Sequence, residues 1–85
     1  MTLDMAHNLI MQELEDAVAK HPRWPVDPIH AVAIMAEESG EAVRASLNLV
    51  YESGNMAELR REVIQTGAMA FRVLMNLDYS EWGDK

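Results

Sequence analysis

The chain has 85 residues, 49% of them hydrophobic, with 7 Lys and Arg against 14 Asp and Glu and a formal net charge of −7. That length sets a single domain, 1–85, which on folding buries only a little over ~60% of the surface its unfolded chain exposes, so oligomerisation is a natural way to complete its core. No cysteine is present, which excludes disulfides, thiolate zinc sites and cysteine nucleophiles, while the acidic balance argues against a nucleic-acid polymer as partner because such affinity comes from Lys and Arg neutralising phosphates.

In chain order, Leu3, Ala6, Leu9, Ile10, Leu14, Ala17 and Val18 recur at three- and four-residue steps, with Glu13, Glu15, Asp16 and Lys20 between them. This spacing predicts an amphipathic first helix over 2–20. The segment His21 to Pro28 contains all three prolines, each of which removes a backbone donor and biases its predecessor away from helix, so a connecting loop is expected there. Asp27 followed by Pro28 is a helix start, with Asp accepting from exposed amides and Pro losing no bond at the first helical position. The second helix is predicted over 28–51. Ser53-Gly54-Asn55 ends it, with Gly54 suited to a positive φ and Asn55 suited to cap the third helix, predicted over 56–77, with Glu58 three residues on as in a capping box. The residues from Asp78 to Lys85 have no clear periodicity and are expected to be loosely ordered unless Trp82 docks. The expected fold is all-α: a three-helix antiparallel unit, with helices two and three paired through their short connection. No run reaches the ~20 apolar residues of a membrane span, and Met1-Thr2-Leu3-Asp4 does not open as a signal peptide, so a cytoplasmic protein is expected.

The second helix places Glu37, Glu38 and Glu41 after an almost wholly apolar run, Ile29 to Ala36. Ile34, Glu38, Glu41 and Ala45 share one helical face, so two acids continue a line that begins as core. Like charges at this spacing repel, and a cation between them removes the conflict. In the third helix Glu58, Glu62 and Gln65 form a matching stripe that continues through Met69 and Arg72. Antiparallel pairing brings Glu38 and Glu41 opposite Glu62 and Gln65, a set of hard oxygen donors suited to Mg²⁺ or Mn²⁺ and not to zinc. From spacing alone the alternative stays open: an ordinary solvated acidic face paired with Arg44, Arg60 and Arg61.

The stretch His30-Ala31-Val32-Ala33-Ile34-Met35-Ala36-Glu37-Glu38-Ser39-Gly40-Glu41-Ala42-Val43-Arg44-Ala45, followed by Leu59-Arg60-Arg61-Glu62-Val63-Ile64-Gln65-Thr66-Gly67-Ala68-Met69-Ala70, resembles the MazG-like family of all-α nucleoside triphosphate pyrophosphohydrolases. The family pattern pairs E-x-x-E with a later E-x-x-D; Glu38, Glu41 and Glu62 match its first three acids, and Gln65 stands where Asp is usual. The resemblance covers about 28–77. It implies Mg²⁺-dependent cleavage of a (d)NTP between the α- and β-phosphates to a monophosphate and pyrophosphate, by a homodimer or dimer of dimers. It further implies Glu38, Glu41 and Glu62 as metal ligands with Gln65 as a weak fourth, and Glu37 together with Glu38 as the catalytic acids, Glu37 orienting or deprotonating water. Arg72 and Arg61, with Arg44, become phosphate contacts. Trp24 either covers the core or stacks on a base at the pocket edge. The departure at Gln65 brings no charge and no base, so weaker metal binding is expected.

His7, His21 and His30 share no ligand spacing and read as structural or surface groups. Gly40 and Gly67 interrupt helices and suggest close helix approach. Ala36, Val43, Leu47, Val50 and Val63, Ala70, Leu74 exceed what three helices can cover, which points to a bundle completed by a second copy. The rival expectations are a non-catalytic acidic helical module that binds a basic partner, and a nucleotide-binding relative that has lost catalysis through Gln65.

Overall fold

The computed structural model describes residues 1–80, 82 and 83. They form α1 (Leu3–Lys20), α2 (Pro28–Tyr51) and α3 (Met56–Asn76), followed by a 3-10 turn over Leu77–Tyr79, with no strand among the described residues. Each helix starts where its sequence offers an oxygen to the first free amides. Thr2 Oγ1 accepts from the Met5 amide at 3.1 Å, Asp27 Oδ1 from Ile29 at 3.0 Å, and Asn55 Oδ1 from Glu58 at 2.8 Å. Such caps are worth about 1 kcal/mol each.

α2 ends at Tyr51, where the sequence places its end, but the termination is made differently. No glycine has a positive φ. Instead Glu52 turns extended, and the amides of Glu52 and Gly54 both donate to the Asn48 carbonyl, at 2.9 and 3.1 Å. A Cβ on Gly54 would lie 2.9 Å from the Asn48 backbone, so the glycine is required for close approach and not for its φ. The chain after α3 is also more regular than expected: Ser80 closes the 3-10 turn through its amide and hydroxyl to the Leu77 carbonyl. Trp82 is more than half exposed. The remainder of the predicted tail lies outside the described residues.

Helix α3 is central. α2 lies antiparallel along it, with Glu38 opposite Gln65 and Glu41 opposite Glu62, while the α1 backbone packs on α3 and meets α2 chiefly through side chains of the shared core. Ile10 meets α3 at Gly67 and the end of α1 meets it at Arg72, so α1 and α3 run parallel, as an up-down-up path requires. Gly67 eases this approach, since a Cβ there would sit 3.0 Å from Ile10 Cδ1 and ask that side chain to shift. Gly40, by contrast, has nothing within 4 Å of an added Cβ.

The core is small: Leu14, Ala68 and Met69, flanked by Ile10, Met11, Ala17, Trp24, Ile34 and Met35. Three of the methionines thus fill core gaps, whereas Met1, Met5, Met56 and Met75 are exposed. The accessible surface is 6323 Å², against about 5,100 Å² for a compact monomer of this mass. The radius of gyration is 14.3 Å, against about 12 Å for this length. Apolar side chains are exposed on α2 and α3, where Val43, Leu47, Val50, Val63 and Leu74 are all at least half exposed. No helix among the described residues is long and apolar enough to cross a membrane.

Candidate metal centre and adjoining cleft

The antiparallel register of α2 and α3 brings the stripes predicted from helical spacing face to face. One carboxylate oxygen from each of Glu38, Glu41 and Glu62 lies within 4.8 Å of the others, with Glu38 and Glu62 half-buried and Glu41 exposed. The Gln65 amide lies against Glu38 and Glu62. With its nitrogen inward it donates to Glu38 Oε2 at 3.1 Å and to Glu62 Oε2 at 3.3 Å; turned over, the same side chain presents its oxygen to the carboxylates, since the two ends of an amide are nearly alike in shape.

The electrostatics follow from this crowding. Burial raises the Glu38 carboxyl above its ordinary range, and the charges of Glu41, Glu62, Glu37 and Glu13 push it further. Glu62 is raised chiefly by burial, then by a hydrogen bond with Glu41 and by its charge, while Arg61 pulls it back. The three carboxylates are therefore oxygen donors of like charge crowded within reach of one another.

The acids stand between two openings. On one side is a cleft of about 550 Å³ whose walls include Glu13, Trp24, Ile34, Glu38, Gln65 and Arg72. On the other, an opening of about 620 Å³ is bounded by Glu37, Gly40, Glu41, Arg44, Glu58 and Glu62. Both volumes are of ligand size. Trp24 is half-buried, packing on the core while lining the first cleft.

The expected phosphate contacts are dispersed. Arg61 lines neither acidic opening but a third, between α1 and α3. Arg44 lies beside Glu41 and Glu62 in the second. Arg72 lines the first cleft yet is only 4% exposed, and its guanidinium donates to the carbonyls of His21 at 2.5 Å, Ala17 at 3.4 Å and Arg23 at 3.5 Å. Its Cζ lies 4.6 Å from the centroid of the Trp24 ring. These partners come from the end of α1 and the proline loop, which spacing along α3 does not reveal. His7 and His30 are exposed, and His21 serves Arg72 through its carbonyl.

Glu13 was not among the sequence candidates. It reads as solvated charge, but it is half-buried, lines the first cleft and raises Glu38. The available signal was its place on α1, three residues after Ile10 and four before Ala17, both of which pack on the core. The remaining acids of that group, Glu15, Asp16 and Glu52, are exposed. Comparison of the chain with protein families, curated proteins and solved structures finds no match.

Proposed function

We propose that the protein is a Mg²⁺-dependent nucleoside triphosphate pyrophosphohydrolase, with Mn²⁺ as a substitute, that releases a monophosphate and pyrophosphate. The observation that carries this reading is the convergence of Glu38, Glu41 and Glu62 within 4.8 Å beside a cleft walled by an indole; the resemblance in the Glu38 to Glu62 pattern supplies the reaction. Glu38, Glu41 and Glu62 hold the ion and Gln65 adds a neutral oxygen. A bound Mg²⁺ supplies charge neutralisation for the triphosphate and a lowered pKa for an attacking water. Glu37, on the rim of the opening that holds Glu41 and Glu62, accepts the proton as water adds across the α–β anhydride. Trp24 takes the base, and Arg44 is the arginine best sited for phosphate. The active form is a homodimer or dimer of dimers. Support comes from the roughly 1,200 Å² of surface beyond that of a compact monomer, which exceeds the ~800 Å² a partner contributes to a standard interface.

A second reading, nucleotide and metal binding without turnover, is favoured by Gln65, which lacks both charge and basicity. The two separate when the protein is incubated with a panel of (d)NTPs and Mg²⁺ while pyrophosphate and melting temperature are followed. Hydrolysis gives pyrophosphate together with a higher melting temperature, because a ligand bound only to the folded state stabilises it. Binding alone gives the thermal shift without pyrophosphate. Neither signal sinks both readings and leaves an acidic helical module that binds a basic partner.

A further inference from the structure

Arg72 is a charged side chain almost wholly removed from water, and among the described residues its recorded partners are carbonyls and an indole face, with no carboxylate. Burial of a guanidinium is costly unless its donors are used. Here they are used at and just past the C-terminal end of α1, on the carbonyls of His21 and Arg23 and on that of Ala17, which also accepts from the His21 amide, a place where a cation is favoured. The segment 21–27 that these bonds hold has little means of holding itself. Pro22 and Pro25 have no amide hydrogen, and the backbone bonds recorded at its two ends run from His21 to Ala17 and from Ala31 to Asp27, none within it. The backbones of α1 and α2 hardly approach one another, so the loop bridges two helices that each pack mainly on α3. Arg72 is the hydrogen-bonded tie from α3 to that loop among the described residues.

We propose that Arg72 is a positioning residue: by capping the end of α1 and lying against the indole, it fixes Trp24 as the wall of the cleft and so sets the cleft's affinity for an aromatic ring. Its planar fork reaches separate carbonyls while its face stays on the ring, which a lysine ammonium cannot reproduce. Desolvation lowers the guanidinium's pKa from its ordinary value, in keeping with a cation placed for its geometry and not for exposure to phosphate. The effect on catalysis rests on the proposed hydrolase reading; the effect on Trp24 does not.

The test uses Arg72→Lys and Arg72→Met in a Trp82→Phe background, where Trp24 is the only tryptophan. Arg72→Lys keeps the charge at the end of α1 and covers the case in which Arg72→Met fails to fold. Trp24 emission is expected to shift to the red and acrylamide quenching to rise. With nucleotide and Mg²⁺, KM is expected to rise roughly tenfold with kcat within about twofold, and the Mg²⁺-induced rise in melting temperature is retained. If the parent protein releases no pyrophosphate, the hydrolase reading fails and the emission and quenching decide the positioning role alone. Unchanged emission and quenching in Arg72→Lys overturns the proposal. So does a loss of kcat at constant KM, which would put Arg72 at the reacting phosphate.

Discussion

Arg72 and the Glu62–Gln65 pair lie on one stripe of α3, and they handle charge removed from water in opposite ways. At Arg72 the chain supplies its own compensation: carbonyls at the negative end of α1 and the face of Trp24. At Glu62 three carboxylates crowd together, and the nearby charge of Arg61 offsets only part of what burial and Glu41 do to its carboxyl. A charge satisfied from within acts as a strut and asks nothing of the solvent. Like charges left unsatisfied keep the folded chain strained in a way that a cation from outside relieves.

Removing one of the crowded acids separates the two cases most strongly. Glu62→Gln is expected to lower Mg²⁺-dependent pyrophosphate release by on the order of 100-fold or more, while its melting temperature in chelator rises by a few degrees because repulsion is lost. A pyrophosphate assay and a thermal scan report both; full activity in the variant would remove the site. At the strut the sign reverses. Arg72→Met leaves carbonyls unsatisfied and is expected to cost about 2–3 kcal/mol, a fall of roughly 10 °C or more in melting temperature, with or without Mg²⁺.

Gln65→Asp sharpens the contrast from the other direction. A fourth charge replaces an amide that can donate to Glu38 and Glu62, so Mg²⁺ is expected to bind about tenfold tighter while stability in chelator drops; titration calorimetry and melting read the two changes separately. The smallest effect is on pH. Glu38 and Glu62 have raised pKa values in the folded chain, so they bind protons more tightly folded than unfolded. Their stabilising contribution is complete below the ordinary carboxylate range and is lost as pH rises through the raised values. In chelator, melting temperature is expected to fall more between about pH 4 and pH 7 for the wild-type protein than for Glu38→Gln, and equal slopes would count against the crowding.

Much of this was legible along the chain because it depends on neighbours in sequence. Thr2, Asp27 with Pro28, and Asn55 mark helix starts through local amide capping, and α2 begins and ends where its signals predict. Glu38, Glu41, Glu62 and Gln65 could be grouped because three- and four-residue spacing fixes which side chains share a helical face. Gly54 was misread because the amide it contributes to Asn48 depends on how the chain folds back, and its backbone freedom was the wrong property to weigh.

The sequence by itself determined three helices, their starts and the two acidic stripes, since periodicity and capping act over a turn or two. Tertiary structure alone decided the rest. It packed α1 mainly on α3, brought Glu13 from another helix to the acids, and turned Arg72 from a candidate phosphate contact into a tie to carbonyls 51 and 49 residues away in sequence. The physical reason is that burial and long-range hydrogen bonding depend on which helices meet, and no spacing within one helix encodes what its buried arginine will find on another.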